Sequence, residues 1–270
     1  MTIAAKTRRS QCQSARDIRT GKGLHFALRK HCNEKIHQAA RKKYMNNVEI
    51  SVYPLEKMVV RRFDVMPYQQ IWSAMQSFTN LRNSVTEDEV WLLQHEPVFT
   101  LGQAGRHEHV LSPGEIPLVQ SDRGGQVTYH GPGQLVAYTL LDLQRLKLGA
   151  RDLITLLEQS IVDTLAVFHV DARAKKDAPG VYIGDSKIAS IGLRIRKGAS
   201  YHGLAINIDM NLEPFLRINP CGYGGLKMIQ LADFVPSVSI HEVADTWLDQ
   251  FNRRLGYQQL VDKKGLPDDE

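Results

Sequence analysis

The sequence predicts an α+β domain, with helices packed on a mixed, mostly antiparallel sheet. Three observations predict it. Strand-like runs follow one another in series instead of alternating singly with helices. Only three stretches, 67–83, 149–168 and 239–254, carry a sustained helical apolar period. The G-x-G-x-x-G fingerprint of a βαβ dinucleotide fold is absent, and no internal repeat is visible.

The chain has 270 residues, enough for one large domain or two small ones. Residues 1–57 are rich in Lys, Arg, Gln and Asn and keep no helical or strand period, so they read as a disordered basic extension. An Arg-rich, acid-poor arm also fits an organellar transit peptide, although this one has few serines; a translation start at Met45 or Met58 would remove it. The domain is expected to run over 58–260. Its first element is a strand over 58–65, and Pro67 suits the first position of the helix that follows. A buried-type strand covers 89–93. His95, Glu96 and Pro97 break it, and 98–101 resumes before a turn at Gly102 and Gly105. Further strands are expected at 116–119 and 135–143.

The helix over 149–168 has the best stripe, formed by Leu153, Leu156, Leu157, Ile161, Leu165 and Phe168. Short strands at 181–183, 187–195 and 202–208 are joined by turns at Gly184-Asp185 and Lys197-Gly198. A helical turn at 211–218 leads into a Gly-rich loop at 219–225. The last helix, 239–254, puts Ile240, Val243, Trp247 and Phe251 on one side. The polar tail 261–270 is expected to fray.

The net charge of +5 is unevenly placed. Residues 1–57 hold 13 of the 34 Lys+Arg but only 4 of the 29 Asp+Glu, so the body is net negative. That sign is wrong for a phosphate footprint, and no nucleic-acid partner is expected. No apolar run approaches transmembrane length, and no apolar core follows the start as in a secretory signal, so no membrane partner is expected either. The cysteines, Cys12, Cys32 and Cys221, are few, odd in number and free of CxxC pairs. They fit a reducing compartment, the cytoplasm, better than a disulfide framework.

The chemistry concentrates in 122–134, D-R-G-G-Q-V-T-Y-H-G-P-G-Q, where four glycines surround Arg123 and His130. Such glycine density marks sharp turns or close backbone approach, and it reads as a ligand-facing loop. Cys221, in I-N-P-C-G-Y-G-G, is sterically open on both sides, unlike a cysteine inside an apolar run. A cation beside it would favour the reactive thiolate. Lys187 opens a strand of small and apolar residues and is the candidate cation, able also to take a proton from an attacking amine. A plain solvated lysine would fit the spacing as well. His130 is a further titratable candidate. His107 and His109 form an H-x-H pair without a nearby third ligand and read as surface residues. No Gly-x-Ser-x-Gly, Walker loop or His-Glu-x-x-His is present.

Four motifs occur in order: R-G-G-Q-V-T-Y-H-G-P-G-Q-L; D-A-P-G-V-Y with K-I-A-S-I-G-L-R-I-R; Y-H-G-L-A-I-N-I-D-M; and F-L-R-I-N-P-C-G-Y. Together they resemble the lipoyl(octanoyl) transferase family over 58–260. The resemblance implies the catalytic-domain fold of biotin-protein and lipoate-protein ligases. It implies transfer of octanoyl from acyl-carrier protein to a lysine of apo lipoyl domains, those of 2-oxoacid dehydrogenase E2 and the glycine cleavage H protein. It implies no ATP and no metal, because the thioester already stores the energy. Carried over, Cys221 resembles the acyl-thioester nucleophile and Lys187 its acid/base partner. Arg123, Gly124, Gly125, Gln126, Val127, Thr128, Tyr129 and His130 resemble the loop over the acyl chain. Ser190, Ile191 and Gly192, with Gly203, Leu204 and Ala205, resemble the remaining substrate-binding segments. Small Ala189, Gly192 and Gly203 are expected to leave room for the acyl chain, and Arg194, Arg196 and Lys197 are a candidate docking patch for acidic partners.

Overall fold

The computed structural model describes residues 55–220 and 224–267. Residues 1–54, 221–223 and 268–270 lie outside the described residues, and with them most of the basic arm, Cys12, Cys32 and the expected nucleophile Cys221. In chain order the elements are β1 (Lys57–Met66), α1 (Tyr68–Leu81), β2 (Asp88–His95), β3 (Val98–Leu101), β4 (Leu118–Gln120), β5 (Val127–His130), β6 (Gln134–Leu140), α2 (Leu143–Leu146), α3 (Ala150–Val167), β7 (Arg173–Lys175), β8 (Ala178–Ile183), β9 (Ser186–Arg196), β10 (Ala199–Asn207), α4 (Ile240–Leu255) and β11 (Gln259–Lys263).

Eight strands form one sheet in the order β11-β1-β2-β6-β10-β9-β8-β7, and β4-β3-β5 form a second. In the large sheet β1 pairs in parallel with β11 and β2, and the other five pairings are antiparallel. The expected mixed, mostly antiparallel sheet is therefore found. The parallel β1–β2 pair requires a crossover, and α1 supplies it. Its Ile71, Ala74 and Met75 pack on one face of the sheet against Trp91, Leu93, Val136 and Tyr138. The other face carries α3 and α4. Leu153, Leu157, Ile161 and Leu165 meet Val243, Trp247 and Phe251 there, and the Trp247 indole donates to Ser160 Oγ at 2.9 Å. A third cluster, with Phe99, Tyr129, Phe215 and Met228, lies under the small sheet.

Several boundaries differ from the sequence reading. The domain takes in residues before 58: Leu55 is buried in the main core and Lys57 already pairs in β1. Pro67 caps α1 rather than starting it. Residues 261–263, expected to fray, complete β11 because β1 offers an open edge, with Val59 opposite Val261. The buried Arg61 then holds the next residues. It donates to the carbonyls of Lys264 and Gly265 at 3.2 and 2.9 Å while pairing with Glu89 at 2.8 Å. Among the described residues no helix is long and apolar enough to cross a membrane.

Candidate functional site

The Gly-rich loop arches over the face of β9, β10 and β6 and encloses a cavity of about 520 Å³. Pockets that hold small organic ligands run from about 300 to 1,000 Å³. Arg123, Gly124, Gly125, Gln126, Val127, Thr128 and His130 line it from the loop and β5. Lys187, Ser190, Ile191 and Gly192 line it from β9, and Gly203, Leu204 and Ala205 from β10. These are the described residues singled out from sequence, with one correction. Tyr129 does not line the cavity: it lies between Thr128 and His130 in a strand, so alternation turns its ring to the opposite side. There it packs 5.5 Å from both the Phe99 and Phe215 rings.

Asp122 anchors the loop. Its carboxylate accepts hydrogen bonds from Trp72 Nε1 at 2.7 Å, Gln76 Nε2 at 3.2 Å, His202 Nε2 at 2.9 Å and the Tyr201 hydroxyl. Tyr201 and His202 are sequence neighbours, so strict strand alternation would send them to opposite faces. His202 has a left-handed φ of 60°, which brings both side chains to Asp122. Burial works against the Asp122 carboxylate, yet the bonds from His202 and Tyr201 hold it well below the usual carboxylate range. Burial in turn lowers His202 and outweighs the pull of Asp122, so the pair is carboxylate with neutral imidazole.

Arg123 is turned inward. Its Nε donates to Thr100 Oγ1 at 2.9 Å, one Nη to the Thr100 carbonyl at 2.5 Å and the other to the Gly124 carbonyl at 2.9 Å. The Gly124 N–H donates to the Leu193 carbonyl at 2.9 Å, which lays the loop on β9. The small residues serve this close packing more than they leave space for an acyl chain. A Cβ on Gly192 would lie 3.3 Å from Arg123 Cδ and from the Gly124 carbonyl, and one on Gly203 would overlap the Ala137 carbonyl of β6. Ala189 belongs to the main core.

His130 is buried with both ring nitrogens engaged. Nδ1–H donates to Gln134 Oε1 at 2.7 Å, and Nε2 faces the Thr100 hydroxyl at 3.4 Å. Burial, helped by nearby His95 and Arg123, keeps it well below the ordinary histidine value, so it is neutral. The chain of bonds continues from Gln134 Nε2 to Asn207 Oδ1 at 2.9 Å and from Asn207 Nδ2 to the Ile229 carbonyl at 2.9 Å.

Ile229 also pairs with Lys187, through its backbone N–H. The Lys187 N–H donates to the Lys227 carbonyl at 2.9 Å, and its carbonyl accepts from the Ile229 N–H at 3.0 Å. Met228 is thus bridged to Lys187 in parallel, seven residues beyond Cys221. On the near side of Cys221, Ile218 bridges Val110 and the Asn219 N–H donates to the His109 carbonyl at 2.8 Å. The H-x-H segment therefore contributes backbone here. The Lys187 side chain is 1% exposed. Its Nζ donates to the Pro179 carbonyl at 2.8 Å and lies 5.4 Å from the Tyr182 ring centroid. A lysine this buried is aimed, not a solvated strand end.

Sequence reasoning missed Asp122, Tyr201, His202, Asn207 and Glu158 as parts of this assembly. The first four stood inside the quoted motifs. Glu158, 8% exposed, accepts from the Gly180 N–H at 3.0 Å, and its only signal was an acid among the apolar positions of α3.

Residues 67–252 match the family described as the lipoyl protein ligase A/B catalytic domain. An octanoyltransferase of Hahella chejuensis is 65% identical over 216 residues, 80% of this chain and 96% of that protein. One from Stutzerimonas stutzeri is 61% identical over 200 residues, covering 74% and 91%, and one from Pectobacterium atrosepticum is 56% identical over 202, covering 75% and 89%. Among solved structures, a lipoate-protein ligase A bound with ATP superposes with a TM-score of 0.63 at 16% identity, covering 78% of this chain and 88% of that one. A bipartite lipoate protein ligase from Thermoplasma acidophilum gives 0.63 at 17% identity with the same coverage.

Proposed function

The chain belongs to the lipoyl protein ligase A/B catalytic-domain family, as an octanoyltransferase, and from that premise we propose a two-step acyl transfer through a Cys221 thioester. It is an acyltransferase that moves octanoyl groups in protein lipoylation. Octanoyl-acyl-carrier protein is the donor, and a lysine of an apo lipoyl domain is the acceptor. The reaction runs in the cytoplasm, where Cys221 stays reduced.

In the first step the Cys221 thiolate attacks the octanoyl thioester carbonyl. The new C–Sγ bond forms, the carrier's C–S bond breaks, and the carrier thiolate leaves and takes a proton from the Lys187 ammonium, which is left as the neutral amine. In the second step the lipoyl-domain amine attacks the acyl-enzyme, its proton passes to Lys187, and the C–Sγ bond breaks to regenerate the thiolate. The observation that carries this reading is the pairing of Lys187 with 227–229, the strand-like segment that follows the Cys221 loop. A buried ammonium at that place would favour the Cys221 thiolate. The Gly124 N–H is committed to Leu193, so an oxyanion would be met by other donors of the loop, the amides of Gly125 and Gln126 being the candidates. No step draws on ATP or a metal, since the thioester supplies the driving force.

The test is intact mass after mixing the full chain with octanoyl-acyl-carrier protein and no ATP, beside Cys221→Ser. A single octanoyl adduct on wild type, labile to hydroxylamine and absent from the variant, is expected. Transfer to a lipoyl domain only when ATP is added, with no adduct, would replace the proposal by a ligase mechanism.

A further inference from the structure

Glu158 is a carboxylate on the buried face of α3, between Leu157 and Ile161, and the two steps above give it no task. A buried acid is costly unless its charge is satisfied. Its Oε1 accepts from the Gly180 N–H at 3.0 Å. The Pro179 carbonyl of that same peptide unit accepts from Lys187 Nζ at 2.8 Å. No peptide bond in the described structure is cis, so this unit is planar and trans, and its N–H and C=O point opposite ways. One rigid plate therefore joins the carboxylate on one side to the ammonium on the other. A hydrogen-bonded chain with a charge at each end polarises every link in it.

Gly180 fits this task. Its φ is 129°, open to glycine, and a Cβ there would sit 2.5 Å from Lys187 Cε and 3.0 Å from Nζ. The lysine thus occupies the space a side chain would fill. Burial pushes the Glu158 carboxyl up, while the Gly180 N–H and the Lys187 charge oppose that rise.

Resting on the two-step reading above, we infer that Glu158 is a positioning residue for Lys187, acting through the Pro179–Gly180 peptide to fix where the ammonium stands. It touches neither substrate nor the reacting atoms. Without its acceptor oxygen the peptide plate, held at its ends by the β8 pairings, loses the bond that sets its tilt, and the carbonyl that aims Lys187 is held less firmly.

The experiment compares wild type, Glu158→Leu and Glu158→Gln in the full chain. It measures octanoyl-adduct formation, single-turnover transfer to a lipoyl domain, KM for both substrates and the thermal midpoint. Leucine suits the apolar face and removes the acceptor. Glutamine restores an acceptor oxygen at the same reach. Glu158→Leu is expected to slow transfer on the order of 100-fold, the usual consequence of a reacting group misplaced by about 1 Å, with KM and midpoint unchanged. Glu158→Gln is expected to recover to within about fivefold of wild type. A Glu158→Leu rate equal to wild type overturns the inference, and so does a loss that glutamine does not recover or that tracks a lowered midpoint. Failure of wild type itself to form an adduct refutes the thioester reading, and the inference falls with it.

Discussion

His95 should make this protein lose stability in mild acid, with the loss starting above the range where carboxylates titrate. The side chain is fully buried where β2 meets β6. Its Nδ1–H donates to the Met66 carbonyl at 2.9 Å, and its Nε2 accepts from the Tyr138 hydroxyl at 2.6 Å. Both nitrogens are therefore used by the neutral ring. Burial lowers its pKa to about 4 from the ordinary 6.5, the Met66 carbonyl opposing the fall and nearby His202 adding to it. The unfolded chain takes up this proton first as pH falls. The stability linked to His95 is thus complete above about pH 6.5 and is lost progressively down to about pH 4. At about 1.4 kcal/mol per pH unit the full window is worth about 3 kcal/mol, and about 2 kcal/mol of that falls between pH 7 and pH 5. His130 and His202, also lowered first by burial, act in the same direction.

The assay is urea denaturation of wild type and His95→Gln from pH 7.5 to pH 5, compared at constant m. The variant loses bonds at every pH and starts less stable. Its curve against pH should nevertheless be flatter than wild type by about 2 kcal/mol over the window, because one titrating group is gone. Parallel curves for the two proteins would refute the reasoning, since they would mean that His95 takes no part in the proton linkage.

Asp122→Asn leaves one acceptor oxygen for four donors, so it should lower stability by about 2 kcal/mol and loosen the Gly-rich loop; urea unfolding and KM for the acyl donor check it, and unchanged values of both would remove Asp122 as the anchor. Gly203→Ala forces a Cβ onto the Ala137 backbone, which cannot step aside, and should cost about 3 kcal/mol in the same unfolding assay. Gly192→Ala meets its neighbours at 3.3 Å and should leave unfolding nearly unchanged while slowing octanoyl transfer, read in single turnover. Arg196 and Lys197 are exposed at the β9–β10 turn, and Arg194 bonds Gln103 Oε1 at 2.6 Å. Reversing charge at Arg194 and Arg196 should raise KM for acyl-carrier protein several-fold at low salt, with the difference shrinking as salt rises.

The sequence made the loop at 122–134 legible because glycine density and Pro132 restrict what a backbone can do, and this loop does pack within van der Waals contact of β9. The stripes of α3 and α4 were legible because a helix repeats its burial every third or fourth residue. The first half of β8 was not, the strand being expected only over 181–183, because proline and glycine are poor strand formers; in the structure Pro179 and Gly180 form the plate beneath Lys187. Strand β11 was hidden for another reason. Its five residues carry two charges, and only the open edge of β1 makes them a strand. The Asp122 anchor draws on α1 and β10, 46 to 80 residues away along the chain, and local pattern carries no record of such meetings.

His130 and Lys187 both line the cavity, and their surroundings suit them to different parts in the proposed reaction. His130 already uses Nδ1–H on Gln134 and faces Thr100 with Nε2, and burial beside Arg123 opposes its charged form. To serve as a base it would have to break one of those contacts and hold a cation next to a guanidinium, so it is built as a wall. Lys187 presents a flexible amine whose protonated form is met by the Pro179 carbonyl and the Tyr182 ring, with the Glu158 charge close behind. An ammonium so supported can favour a nearby thiolate in one step and exchange a proton in the next without the backbone moving. On the proposed two-step reading, Lys187, which spacing alone would also allow as a plain strand-end lysine, is therefore the better acid/base, and the histidine in the most conspicuous motif is the better scaffold.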